Sequence, residues 1–297
     1  MKYFLLFISA GLGASTSLVS RAVKKDANDF FTVSASNALT FLIAFFVILV
    51  FGVISLGEGF FTALSSVPIP LALLYGGAMM SAQLFFLLAV GRGPVSVSTL
   101  FYSCGFIIPT AWGIFRFDEP LTLLAGLGVA LIVCSFVLST QKKEEEKKAD
   151  LLWLVFAVLA SVCSGIVGIS QKEFAPLNAC PLDCFLAVSF AFSTRLGLLF
   201  AVAIFAANRQ GERLEKTEKS NRAFWGALPL GAIMGGANKL NTYLAGVFES
   251  VVTFPCVNGG RILLTAILGA WIYREKMTVR QKFAVGVCFL GIIFISI

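Results

Sequence analysis

Three cations stand inside runs of sequence that are otherwise apolar: Arg195, Lys239 and Arg261. The chemistry open to a buried ammonium or guanidinium is narrow. Each can hold an anion, lysine as a point charge and arginine through two parallel bonds to a carboxylate or phosphate. Without a partner, a charge at mid-bilayer costs about 2.5–3.5 kcal/mol on insertion scales. The sixteen acidic residues fall in loops or at the ends of the apolar runs, so no buried acid is expected to neutralise these cations. Neutral donors accompany two of them. Asn238 and Asn241 lie beside Lys239, and Asn258 comes three residues before Arg261.

Spacing suggests which way these groups point. Ala227, Gly231, Gly235, Lys239 and Tyr243 recur every four residues and share one helical face. Such a stripe suits either close helix packing or a cavity wall carrying a cation. Pro255, Asn258, Arg261 and Thr265 form a second polar face, with Gly259 and Gly260 between them. Ser98, Tyr102 and Gly105 form the small or polar face of an earlier run. The substrate-binding set read from the sequence is therefore Lys239, Arg261, Asn258, Asn241, Asn238 and Tyr102, with Gln83 and Arg195 as secondary members. The leading expectation is that Lys239 and Arg261 bind an anionic group near the midplane. Their competitor is that backbone carbonyls hold each cation.

Catalysis has little to build on. The chain has no histidine, which removes the commonest proton shuttle and metal ligand. No phosphate-cradling glycine-lysine loop is present, so ATP-driven transport by this chain is not expected. No catalytic residue, metal site or cofactor is expected. Seven cysteines are scattered, and only Cys180 and Cys184, in NACPLDC, share a loop in which a disulfide is an open alternative.

The elements that must position these residues are membrane spans. The chain is 58% hydrophobic and 13% charged, half the charge of an ordinary soluble domain. Its mean hydropathy is +0.90, and apolar runs of about 20 residues recur along its length. Helices are expected at 3–23, 30–53, 68–90, 95–115, 120–139, 151–172, 182–207, 223–247, 250–273 and 278–297. The fold class is an all-α membrane protein of ten transmembrane helices in contact with the lipid bilayer. The net charge of +7 does not imply nucleic acid, because the basic residues sit in short loops between spans.

The chain also repeats. FRFDEPLTLLAG (115–126) is similar to WIYREKMTVRQK (271–282). A shift of 156 aligns Glu119 with Glu275, Val95 with Val251, Gly113 with Gly269, Tyr102 with Asn258 and Gln83 with Lys239. A shift of 150 lays Ser20 over Ser170, so the first apolar segment is expected to be a span and not a cleaved signal. The expected domains are a five-helix repeat at 1–140 and a second at 151–297. An odd number of spans per repeat makes the two inverted, as in many secondary transporters. Of the 23 Lys and Arg, seventeen fall on one side, three on the other and three within spans. The positive-inside rule then places both termini outside a cell membrane and the 208–222 loop in the cytoplasm.

Two stretches carry a family resemblance: VSVSTLFYSCGFIIPTAWGIFRFDEPLTLLAGLGVALIV and VVTFPCVNGGRILLTAILGAWIYREKMTVRQKFAVGVCFLG. Each is a span, a short loop with glutamate and a Gly/Ala-rich last span. The chain resembles the EamA-type transporters of the drug/metabolite transporter superfamily. That resemblance implies a ten-helix secondary transporter with a central cavity, a small-molecule substrate and a monomer or homodimer. The chain departs from the similar small multidrug resistance proteins. Spans 3–23 and 151–172 lack a carboxylate in their apolar parts, against cation-for-proton exchange. Transport without a membrane carboxylate relay is expected. The alternatives are a membrane-embedded enzyme or lipid-handling protein, or an exporter of neutral or cationic drugs.

Overall fold

The computed structural model describes residues 2–24, 30–92, 95–139, 151–208, 218–272 and 278–296. All regular structure among them is helical. In chain order the helices are α1 (Lys2–Lys24), α2 (Phe30–Leu56), α3 (Gly59–Ala63), α4 (Ile69–Arg92), α5 (Val95–Cys104) and α6 (Ile107–Phe117). They continue as α7 (Leu123–Ser139), α8 (Leu151–Leu177), α9 (Leu182–Asn208), α10 (Glu218–Val247), α11 (Ser250–Ile272) and α12 (Val279–Ser296). The 141–150 loop, most of the 208–222 loop and Glu275 lie outside the described residues.

Six segments are long and apolar enough to cross a membrane: 34–56, 69–89, 98–117, 151–177, 182–203 and 250–272. Two shorter apolar helices, 3–19 and 123–138, accompany them. The remaining two expected spans are α10 and α12. Asn238, Lys239 and Asn241 dilute the apolar run of α10, and Arg280 and Lys282 open α12.

One expected helix is broken. Span 95–115 is two helices, α5 and α6, with a turn at Gly105 and Phe106. Pro109 explains the break. It has no N–H to donate, and its ring conflicts with the carbonyl of Gly105 four residues earlier. The backbone answers with tighter bonds, Gly105 N to Tyr102 O and Ile108 N to Gly105 O, both 3.2 Å.

The described chain forms two compact units. One comprises 1–14, 81–177 and 241–297, the other 15–80 and 178–240. In the first unit α7 packs along α12, α11 against α6 and α12, and α8 against α5 and α6. Its core gathers Phe106, Ile132, Phe136, Phe254, Cys256, Cys288 and Ile295. Gly128 and Gly291 bring α7 and α12 together: a Cβ on Gly128 would lie 2.6 Å from Gly291 O, and one on Gly291 would lie 2.8 Å from Gly128 O. Small residues allow this approach where lipid supplies no hydrophobic drive between helices.

In the second unit α2 packs along α9. Its core is aromatic. Tyr75 is fully buried, with ring centroids 5.6 Å from Phe185 and 6.5 Å from Phe190, and Phe41 lies 6.3 Å from Phe190. A buried hydroxyl needs a partner, and Tyr75 donates to Asn238 Oδ1 at 2.8 Å.

Candidate functional site

In the first unit the site begins with Arg261, halfway along α11. Its stem lies over α1, where Gly13 leaves room: a Cβ there would stand 3.0 Å from Arg261 Cδ and 3.2 Å from Cγ. One turn earlier on α1, Ala10 takes the space beside Gly260. Tyr102, on α5, is an electrostatic neighbour of Arg261, and its hydroxyl hydrogen-bonds Ser164 of α8. Phe86 of α4 packs on the Tyr102 ring at 5.0 Å. Ser9 of α1 donates to Asn241 Oδ1 near the end of α10. Four helices thus place hydroxyl, amide and guanidinium groups in one neighbourhood.

The remaining expected members of this unit are less engaged. The Asn258 amide donates to Phe254 O of its own helix at 2.9 Å, and Thr265 donates to Arg261 O at 2.7 Å. Gln83 is half-buried on α4.

In the second unit the structure overturns one expectation. Lys239 is not an unneutralised interior charge. Its Nζ lies 2.8 Å from Asp183 Oδ1 and 3.0 Å from Oδ2, and 5.0 Å from the centroid of the Phe51 ring. Asp183 occupies the first turn of α9 and is buried. Lys239 is eight residues from the end of α10, about 12 Å at 1.5 Å per residue, so a long side chain reaches a carboxylate at a span end. The glycine stripe before it packs closely on α2. A Cβ on Gly231 would meet Thr40 O at 2.6 Å, and one on Gly235 would meet Ala44 O at 3.3 Å. Lys239 over Phe51 continues that contact.

Asn238 is committed to the core, donating to Met234 O at 2.9 Å while accepting from Tyr75. Arg195 is exposed on α9. Tyr102 and Arg261 therefore meet in the first unit, and Lys239 meets Asp183 in the second. Cys180 and Cys184 are free thiols.

A further cluster carries chemistry that the sequence showed only in fragments. Asp118 ends α6 in the left-handed region at φ 50°, which aspartate tolerates better than most residues. That turn sends the Glu119 side chain inward. Its carboxylate accepts from Ser250 N at 2.6 Å, the first amide of α11, and lies 2.6 Å from Lys172 Nζ on α8. A negative charge at a helix N-terminus is favourable. Lys172 also donates to Phe248 O at 2.9 Å and lies 5.6 Å from the Phe117 centroid. The signal for Glu119 was its alignment with Glu275, and nothing in the sequence tied it to Lys172.

Comparison with known proteins completes the description. The sequence model of the EamA-like transporter family matches residues 151–297. One solved crystal structure superposes with a TM-score of 0.75 at 12% identity, covering 99% of this chain and 95% of that one. At that identity the likeness concerns the fold alone. No curated protein matches.

Proposed function

Because residues 151–297 belong to the EamA-like transporter family, making the chain a multi-pass membrane protein of a transporter family, we propose that it is a secondary transporter. In this reading it carries a small metabolite across the cell membrane by alternating access, and Arg261 with Tyr102 binds an anionic group of that metabolite. The observation that carries the reading is the seating of Arg261 against Gly13 beside Tyr102, within helices of membrane-spanning length. A guanidinium in such surroundings suits a carboxylate or phosphate that would offset its desolvation. Lys239, with its charge met by Asp183, takes a supporting role and not an equal one.

The reading includes two inverted five-helix repeats, 1–140 and 151–297. Counterpart helices pack on one another in support of it, α2 on α9 and α7 on α12. Paired counterparts are what a two-fold relation in the membrane plane would produce. A cationic substrate would call for an available interior carboxylate. The two buried acids among the described residues, Asp183 and Glu119, are each engaged by a lysine.

Proteoliposome uptake of a solute panel tests this. Sugar phosphates and carboxylates should enter, and Arg261→Met should lower that uptake at least tenfold while thermal stability in detergent is kept. Lys239→Met should lower it less. Uptake restricted to cationic solutes, or unchanged anion transport by Arg261→Met, would sink the assignment.

A further inference from the structure

The outer face of α9 carries a cation that the transport reading does not use. α9 buries Phe190, Ser193, Thr194, Gly197 and Ala201. Gly197 faces Ala38 of α2, and Ser193 donates to Gly76 O of α4 at 2.9 Å. The opposite face holds Arg195, Leu198, Leu199 and Val202, spaced as one helical stripe. The last three are 52%, 65% and 64% exposed. Leucine and valine bare to that degree in a spanning helix mark a surface that meets lipid tails, and Arg195 stands among them.

Depth makes this position costly for a charge. The apolar segment runs from 182 to 203. Arg195 is eight residues from its far end, about 12 Å along the axis, inside a half-bilayer of roughly 15 Å of hydrocarbon. An arginine side chain shortens that distance by snorkelling but leaves the guanidinium at or below the headgroup plane. There it draws an anion inward. The anion available at a lipid face is a phospholipid phosphate, whose oxygens match the guanidinium fork. The seventeen-to-three charge count assigns this end of α9 to the cytoplasmic side, the leaflet that attracts basic groups through its anionic lipids. A second copy of the chain fits poorly, because a two-fold contact centred on this stripe would set Arg195 against its own image.

We propose that Arg195 is a binding site for the phosphate of an anionic phospholipid on the outer face of α9. The site is independent of the substrate assignment, and its test needs no substrate. The protein is placed in nanodiscs of equal parts phosphatidylcholine and phosphatidylglycerol, released into mild detergent, and examined for retained lipid by native mass spectrometry. Wild type should retain phosphatidylglycerol several-fold over phosphatidylcholine. Arg195→Gln should lose that preference, and Arg195→Lys, a point charge without the fork, should keep part of it. The control Arg280→Gln should behave as wild type. If Arg195→Gln is too unstable to isolate, Arg195→Lys decides: an undiminished preference overturns the proposal, and a reduced one supports it. Equal retention by wild type and Arg195→Gln overturns it. So does a wild-type dimer that Arg195→Gln dissolves, which would make the stripe a protein interface.

Discussion

At the scale of single residues, burial and reach decide more than identity. Lys239 and Arg261 look alike in the sequence, both cations in apolar runs with asparagines nearby. The structure separates them because a carboxylate 56 positions away in the chain, Asp183, arrives beside one of them. Sequence position gives depth along a helix but not the neighbour across it, so Asp183 read as an ordinary span-end acid. Cys180 shows burial acting on a loop residue. Its thiol is pushed up to about 11, first by burial and then by the neighbouring Cys184, while a hydrogen bond involving the backbone of Phe185 acts the other way. The neutral thiol is therefore the favoured form. Alkylation of Cys180 by iodoacetamide should keep rising about tenfold per pH unit to near pH 11 instead of levelling near the ordinary thiol value of about 8.5. Peptide mass spectrometry after timed labelling measures it, and a plateau at pH 9 would contradict it. The same scarcity of thiolate disfavours a bond between Cys180 and Cys184.

At the scale of elements, helices were legible and their interruptions less so. The apolar runs gave every long helix to within a few residues, because twenty consecutive apolar residues have few other solutions in lipid. The break between α5 and α6 could have been read from Pro109 four residues after Gly105. Which helix meets which was not legible, since a small-residue stripe says that something packs closely without saying what. For α10 the partner is α2, through Gly231 and Gly235. The Lys239–Asp183 pair ties α10 to α9. Lys239→Met leaves a buried carboxylate without its charge partner, at a cost of about 2–3 kcal/mol, short of a fully buried pair because the Lys239 side chain is 33% exposed. Adding Asp183→Asn should recover most of that loss. Reversible denaturation of both single variants and the double variant in detergent measures the coupling. Strict additivity would mean that the two residues stabilise the protein independently.

At the scale of the whole molecule, the repeat was visible as a period and not as identity. Residues such as Glu119 and Glu275 align across it, while most side chains differ. The sequence order of the repeats does not show that each compact unit draws segments from both, as 15–80 with 178–240 does. That interleaving arises from contacts between helices distant in the chain, which a linear pattern does not record. Orientation rests on the charge count alone. Reporter fusions at residue 215 and at the C-terminus should report opposite compartments, the first cytoplasmic and the second external. A cytoplasmic C-terminus would reverse the assignment while leaving the fold untouched.

The Lys172 ammonium has a consequence for timing. It joins the Glu119 carboxylate, the Phe248 carbonyl and the Phe117 ring at one point. Any motion that parts these segments must give up those contacts together and not in succession, so opening would be an all-or-none event with a high barrier and brief transit. Each 1.4 kcal/mol in that barrier is a factor of about ten in frequency. In a carrier whose chemistry is only binding and release, such a step sets the clock of the cycle. Glu119 would keep its hold on the Ser250 amide without the lysine. The rate of turnover would then be tuned by one side chain at the end of α8, without altering what the protein carries.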